Sequence, residues 1–231
     1  MGHCFSMLAF RLVAALIFLL GPAFLGSADA QDRRQNTPGE FDFYVLSLSW
    51  SPSFCASAEE RGNAERSQAQ CSARPFSFVV HGLWPQYERG FPEYCERSPE
   101  WVDRNTVSAM LDLMPAQGLI VNEWKKHGTC SGLRPRAYFE TIRKARAAVK
   151  IPDELLQLSK PKMISPEELE ADFIKANPGL TATAISVTCD SRRLNEVRIC
   201  MGKDLQFRAC EENDRRACKR EQVLMPPVRG G

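Results

Sequence analysis

Apolar and polar positions along this chain fall into short runs of two different periods, separated by proline, glycine and charged breaks. The first apolar run, residues 12–25, follows Arg11 and precedes Ala28-Asp29-Ala30. A basic residue, an apolar stretch and a small-residue site in that order predict an export signal over residues 1–30, cleaved before Gln31. Gly21-Pro22 interrupts the run, which is short for a membrane span; an uncleaved anchor is the alternative reading. Residues 31–40 are polar and read as a loose lead-in. Residues 41–50 partly alternate and are rich in aromatic and β-branched types, which predicts a strand ended by Pro52. Residues 56–70 are polar, a loop or short helix. The next apolar run, 76–80, predicts a strand that delivers His81 at its end.

Helical signals follow. Ser98-Pro99-Glu100 predicts a helix start with proline at the first position, and Pro115 a stop. Residues 119–127 read as a short helix closed by Gly128 as a left-handed cap. Residues 136–149 make a further helix with Arg143, Lys144 and Arg146 on one side. Ser165-Pro166-Glu167-Glu168 carries a capping box, and that helix ends near Asn177-Pro178-Gly179. Strand-like runs then occupy 184–189, 194–201 and 205–207. The tail at 219–231, with Pro226-Pro227 and Gly230-Gly231, reads as mobile. No repeat and no second boundary interrupt the chain. Strands and helices alternate without βαβ regularity, so the predicted architecture is one α+β domain over 31–231, with its core at about 41–218.

Removing the signal from the 231 residues leaves 201, enough for a substantial core. They carry 29 basic and 27 acidic side chains, a surplus of +2 too small to mark a nucleic-acid binder by bulk charge. Any polyanion must be held by a local site. Nine cysteines become eight once Cys4 is lost, and an even count in an exported chain favours disulfides. No Cys-x-x-Cys pair favours zinc, and no Asn-x-Ser/Thr sequon is present.

Outside the signal, which holds His3, the only histidines are His81 and His127. Each sits in a dense cluster: Phe78-Val79-Val80-His81-Gly82-Leu83-Trp84-Pro85 and Glu123-Trp124-Lys125-Lys126-His127-Gly128-Thr129-Cys130. Imidazole titrates near neutrality, so two of them can work as an acid and base pair. On a helix Glu123, Lys126 and His127 share a face, where a carboxylate can orient an imidazole and a lysine can add fixed charge. The same spacing also fits an ordinary surface salt bridge, or a zinc site short of ligands. His81 alone reads equally as a buried core histidine. Its neighbours shift the balance: Gly82 allows close approach, and an exposed Trp84 indole can stack a nucleobase.

His-Gly-Leu-Trp-Pro (81–85) and Glu-Trp-Lys-Lys-His-Gly-Thr-Cys (123–130) resemble the two active-site segments of the ribonuclease T2 family. Residues 44–52 resemble that family's first core strand, and Glu196-Val197-Arg198-Ile199-Cys200 a late one, so the likeness spans about 41–218. The resemblance implies a central antiparallel sheet with flanking helices, and metal-independent cleavage of single-stranded RNA without a cofactor. It implies His127 as the base on the ribose 2′-OH and His81 as the acid on the leaving 5′-oxygen. Glu123 and Lys126 then stabilise the transition state, and a 2′,3′-cyclic phosphate is hydrolysed to a 3′-phosphate. Many members carry a histidine where this chain has Asn122, and an acidic residue where it has Gln86. Weaker substrate affinity and an altered base preference are therefore expected, with Trp84, Gln86 and Asn122 as substrate-binding residues. Tyr87, Phe91 and Tyr94 read either as stacking partners or as ordinary packing. The family pairs Cys95 with Cys130; spacing suggests Cys55 with Cys71, Cys200 with Cys210, and Cys189 with Cys218. The expected protein is a periplasmic or secreted monomer without stable membrane association. A catalytically silent exported binding protein and a metal-dependent phosphodiesterase are the alternatives.

Overall fold

The computed structural model describes Met1 and residues 36–63, 65–72, 74–210 and 217–229. The expected export signal, Met1 apart, lies outside these residues. The chain divides into two compact units, Met1–Gln31 and Asp32–Gly231, and everything below concerns the second. Among the described residues no helix is long and apolar enough to cross a membrane.

In chain order, strand β1 (Phe43–Trp50) is followed by helices α1 (Ser51–Glu60) and α2 (Gln68–Cys71) and strand β2 (Phe78–Gln86). Helices α3 (Arg104–Met110), α4 (Gln117–Lys126), α5 (Pro135–Ala147) and α6 (Asp153–Leu156) come next. Strand β3 (Lys162–Ile164), helix α7 (Pro166–Ala176) and strands β4 (Ile185–Cys189), β5 (Leu194–Met201) and β6 (Val223–Met225) complete the fold. Four strands form an antiparallel sheet in the order β2-β1-β5-β4, and β3 pairs with β6 in a second, two-stranded sheet. The architecture is α+β.

The alternation of β1 divides the molecule into two sides. Tyr44, Leu46, Leu48 and Trp50 point into the main core, where they meet apolar residues from α4, α5 and α7, among them Trp124, Phe139, Ile142 and Phe173. Trp50 packs edge-on against Phe78 at 4.9 Å, and Phe78 against Phe173 at 5.6 Å. The intervening residues Phe43 and Val45 face the other way and form a smaller cluster with Cys200 and Cys210. Four disulfides join Cys55 to Cys71, Cys95 to Cys130, Cys189 to Cys218 and Cys200 to Cys210, the pairs suggested by family and spacing.

Several elements depart from the sequence reading. Helix α3 begins at Arg104, not near Pro99, because Asp103 caps it by accepting from the N–H groups of Asn105 and Thr106. Helix α7 keeps its expected start, with Ser165 accepting from the Glu168 N–H at 3.0 Å. Residues 205–207 form no strand, only a single bridge from Phe207 to Met201. The lead-in is tied down where it is described: the Gly39 N–H donates to the Cys130 carbonyl at 2.9 Å.

The tail is the largest correction. Val223 and Met225 of β6 are fully buried, the Val228 N–H donates to the Leu158 carbonyl, and the Trp50 indole donates to the Pro226 carbonyl at 3.0 Å. Pro226-Pro227 and Gly230-Gly231 suggest a loose end, but three residues of strand just before them carry the docking. Met225→Ala is therefore expected to lower the unfolding free energy by about 2–5 kcal/mol in denaturant titration. An unchanged midpoint would mean that the tail contributes no packing.

Candidate active site

Strands β1 and β2 pair with one irregularity. Ser47 stands opposite Gly82 and Leu48 opposite Val80, so His81 is an extra residue outside the ladder. Such a bulge resets the alternation of its strand. His81 and Trp84 are three apart and would otherwise point to opposite faces. With the bulge both reach the same cleft, as does Gln86. His81 therefore lies within β2 rather than at a strand end, and β2 continues through Pro85, which the edge position of this strand tolerates.

Helix α4 serves both sides. Ile120 and Trp124 enter the core, with the Trp124 indole donating to the Glu100 carbonyl at 2.7 Å, while Glu123 and Lys126 line the cleft. The helix ends at Lys126 with His127 as its C-cap, and a tight turn, Gly128–Ser131, follows. Gly128 is not left-handed; Gly132 is, with φ 72°. Gly128 is required for space, because a Cβ there would collide with Trp124 and Tyr138. The Tyr138 hydroxyl donates to the Leu83 carbonyl at 2.8 Å, bracing β2 from α5. The Cys95–Cys130 disulfide and the Tyr94 N–H donating to the Lys126 carbonyl hold the loop after β2 against the end of α4.

The resulting cleft has a volume of about 380 Å³. It brings together all seven predicted residues: His81, Trp84, Gln86, Asn122, Glu123, Lys126 and His127. Phe43 and Val45 line it from the sheet, and Phe91, Tyr94 and Leu119 complete its apolar part. Trp84 is not the open stacking face expected of it. Its Nε1–H donates to Glu123 Oε2 at 2.8 Å, its ring lies 5.3 Å from both imidazoles, and the Arg198 guanidinium sits 5.1 Å over it. Nor does Glu123 pair with its helix neighbour His127. It reaches across to β2, where its Oε1 lies 3.6 Å from His81 Nε2. The Gln86 amide donates to the Pro85 carbonyl, Lys126 Nζ lies 3.5 Å from Glu93, and Asn122 is exposed.

Two functional groups escaped the sequence reading. Glu196 Oε1 accepts from His81 Nδ1 at 2.5 Å, and Arg198 donates to Glu196 Oε2 through Nε and Nη2 at 2.9 and 2.7 Å. A signal was available: Glu196 and Arg198 are charges two apart in a largely apolar strand, hence on one face, where buried charge needs partners.

The electrostatics separate the two histidines. Burial, reinforced by the charges of Lys126 and His81, pushes His127 down to about 3, so it is neutral. Its buried Nδ1 has no hydrogen-bond partner among the described residues. Burial also acts to lower His81, but the hydrogen bond and charge of Glu196 and the charge of Glu123 outweigh it and raise His81 above its usual range. Burial pushes Glu123 up to about 7 against the pull of His81 and Trp84. Glu196 is held down at about 2, because His81 and Arg198 overcome its burial. One imidazole is ready to take a proton and the other to give one.

The model of the ribonuclease T2 family matches residues 41–210, which include both histidine segments and the Glu196 strand. The chain belongs to the ribonuclease T2 family. Two bacterial relatives are similar along much of it. A ribonuclease of Aeromonas hydrophila is 39% identical over 145 residues, covering 63% of this chain and 61% of the relative. A probable ribonuclease of Haemophilus influenzae is 31% identical, covering 77% and 64%. The chain thus spans less than two thirds of the length of either. Among solved T2 structures, an RNase-related protein from Calystegia sepium superposes with a TM-score of 0.65 at 25% identity, over 81% of this chain and 98% of that one.

Gly82 is the tightest point of this T2 cleft. A Cβ there would collide with Glu123 Oε2 and Trp84 Nε1, the two ends of one hydrogen bond. Gly82→Ala is expected to destabilise the fold by about 1–3 kcal/mol. Overpacking would displace the groups that flank both imidazoles. Thermal unfolding checks this; an unchanged midpoint would mean that the Trp84–Glu123 contact yields to a methyl group without cost.

Proposed function

We propose that this chain is an exported endoribonuclease that cleaves single-stranded RNA without a metal or other cofactor, by attack of the ribose 2′-OH on the adjacent phosphorus. The observation that carries the reading is the opposite electrostatic setting of two histidines in one cleft: burial holds His127 neutral, while Glu196 raises His81 above its usual range. His127 takes the proton from the 2′-hydroxyl as its oxygen attacks. His81 delivers a proton to the departing 5′-oxygen, leaving a 2′,3′-cyclic phosphate. In the second step water replaces the departed alcohol, His81 accepts its proton, His127 returns one to the 2′-oxygen, and a 3′-phosphate remains. An internal nucleophile needs no metal-activated water, only an acid, a base and charge stabilisation.

The remaining groups fit that chemistry. A carboxylate beside a phosphate would repel it, but burial raises Glu123 to about 7, so in mildly acidic solution it is a neutral hydrogen-bond donor to a phosphoryl oxygen. Lys126 supplies positive charge from the rim. Gln86, with one amide hydrogen engaged by Pro85, and Asn122 line the cleft and would meet a base or phosphate, and Trp84 holds Glu123 through its indole N–H. Four disulfides suit an oxidising compartment, the periplasm or the exterior.

Purified mature protein is expected to cleave single-stranded RNA in excess EDTA and release cyclic-phosphate ends. His127→Ala and His81→Ala should each lose about 10²–10⁴-fold in rate while keeping the fold. Cleavage only after a divalent metal is added would move the assignment to metal chemistry, and no cleavage under either condition would leave a binding role. The pH profile follows from the same settings. The base works above about 3 and the acid below a pKa raised past 6.5. The kcat/KM should therefore stay high from roughly pH 4 to 6 and fall above neutrality. An optimum on the alkaline side would contradict these settings of His127 and His81.

A further inference from the structure

We infer that Glu196 is the positioning residue of the acid, fixing the tautomer and charge of His81, with Arg198 as the clamp that fixes Glu196. The inference rests on His81 acting as the proton donor in the reading above. It begins from a long-range contact. His81 on β2 and Glu196 on β5 lie on either side of β1, so their side chains meet above the central strand. They can do so because β1 presents only short hydroxyls there. Ser47 faces Gly82 and Arg198 on its two sides, and Ser49 stands opposite Glu196, with its hydroxyl 3.4 Å from Oε1.

Three features of the contact are directional. Arg198 occupies Glu196 Oε2 with two hydrogen bonds, which leaves Oε1 for His81. The bond to Oε1 uses Nδ1, so that nitrogen keeps its proton through the cycle. Nε2, on the opposite side of the ring and 3.6 Å from Glu123, is then the nitrogen whose proton travels. When it leaves for the 5′-oxygen, the bonding pair stays on Nε2 and His81 becomes the neutral Nδ1–H tautomer. That tautomer has its lone pair in position to accept a proton from water in the second step. With the opposite tautomer, neutral His81 would hold its proton on Nε2 and could not accept there.

The groups that face His81 explain why Glu196 decides its state. From β5 come Glu196 and Arg198, from α4 Glu123 and Lys126, and from its C-cap His127; β1 contributes only serines. Burial and the charge of Arg198 disfavour a cationic His81. Glu123 is raised by its burial and so carries its full charge only above neutrality. Glu196 is the carboxylate that stays ionised throughout.

Glu196→Gln keeps the shape and removes the charge. Arg198 presents only donors, so the Gln carbonyl turns to it and the amide N–H faces His81 Nδ1, which must then accept. His81 is pushed to the neutral Nε2–H form, a far weaker acid. The expected outcome is a fall in kcat of roughly tenfold or more with KM changed less than about threefold. The alkaline limb of the rate profile should move down by ~1 pH unit or more. Glu196→Asp keeps the charge and should hold that limb within ~0.5 unit of wild type.

Nitrogen-15 NMR of the imidazoles, assigned with His127→Ala, tests the inference without turnover. Wild-type His81 should titrate above 6.5, the ordinary imidazole value, and its neutral form should carry the proton on Nδ1. Glu196→Gln should titrate below that value with the proton on Nε2. An unmoved alkaline limb and titration in Glu196→Gln would overturn the inference, as would a wild-type neutral His81 protonated on Nε2, a result that needs no variant to fold. If the wild type cleaves no RNA, the proposed function falls while the titration still decides the role of Glu196.

Discussion

Because Ser47 faces Gly82 while Leu48 faces Val80, the β1–β2 ladder must accommodate one residue that pairs with nothing, and that residue is His81. The extra residue shifts the phase of the strand, so that Leu83 remains in the core and Trp84 enters the cleft. Without the shift the imidazole and the indole would lie on opposite faces of the sheet. Trp84 would then be unable to hold Glu123, and His81 could not meet both Glu123 and Glu196. The bulge is itself held from outside the sheet: the Tyr138 hydroxyl binds the Leu83 carbonyl, and Gly82 leaves the space that the Trp84–Glu123 contact fills. A one-residue irregularity thus connects the packing of α5 to the placement of His81.

From the bulge a closed ring of contacts follows. His81 donates to Glu196, Arg198 clamps Glu196 and lies over Trp84, Trp84 donates to Glu123, and Glu123 returns to His81. Four of these five groups can carry charge, and burying any one alone would be costly. In the ring each polar end has a partner, so the charges set one another: Glu196 stays ionised because His81 and Arg198 flank it, and Glu196 in turn raises His81 above its usual range. His127 stands outside the ring. Buried, beside Lys126 and cationic His81, it has no carboxylate to offset its desolvation, and it is neutral for that reason. Two chemically identical side chains in one cleft are driven in opposite directions from the ordinary imidazole value by whether a carboxylate touches them.

The parts of this arrangement that were legible in the sequence are those encoded by neighbours along the chain. His81 with Trp84, and Glu123 with Lys126 and His127, lie within single segments, and the structure does bring all five to one cleft. What Glu123 does there was not legible. Helical spacing pointed it at His127, four residues on, whereas its partner is set by the approach of β2. The His81–Glu196 contact spans 115 positions and depends on the bulge, which leaves no mark in the apolar pattern. Gly128 was misread because glycine has two uses, and here space rather than a positive φ demands it. The tail was misread because its prolines and glycines outweighed the three strand residues that dock it. The start of α3 went to Pro99, although Asp103 with its two capped amides was the stronger signal.

The alternation in β1 carries a further constraint. Its core-facing residues, Leu46, Leu48 and Trp50, are large and fully buried, while the positions between them on the opposite face shrink from Phe43 and Val45 to Ser47 and Ser49. Strands two apart in a sheet are separated by roughly 9–10 Å, a gap that side chains from each side can close only if nothing stands between them. A valine or leucine at Ser47 or Ser49 would satisfy strand propensity better and add apolar burial, yet it would occupy the space in which His81 and Glu196 meet. The buried Ser47 hydroxyl has no hydrogen-bond partner among the described residues, so it contributes little there except its small size. Folding alone would favour a larger, apolar residue at these positions; the contact above them requires a short one. The change from apolar to short along one face of β1 marks where the requirements of the site override those of the core.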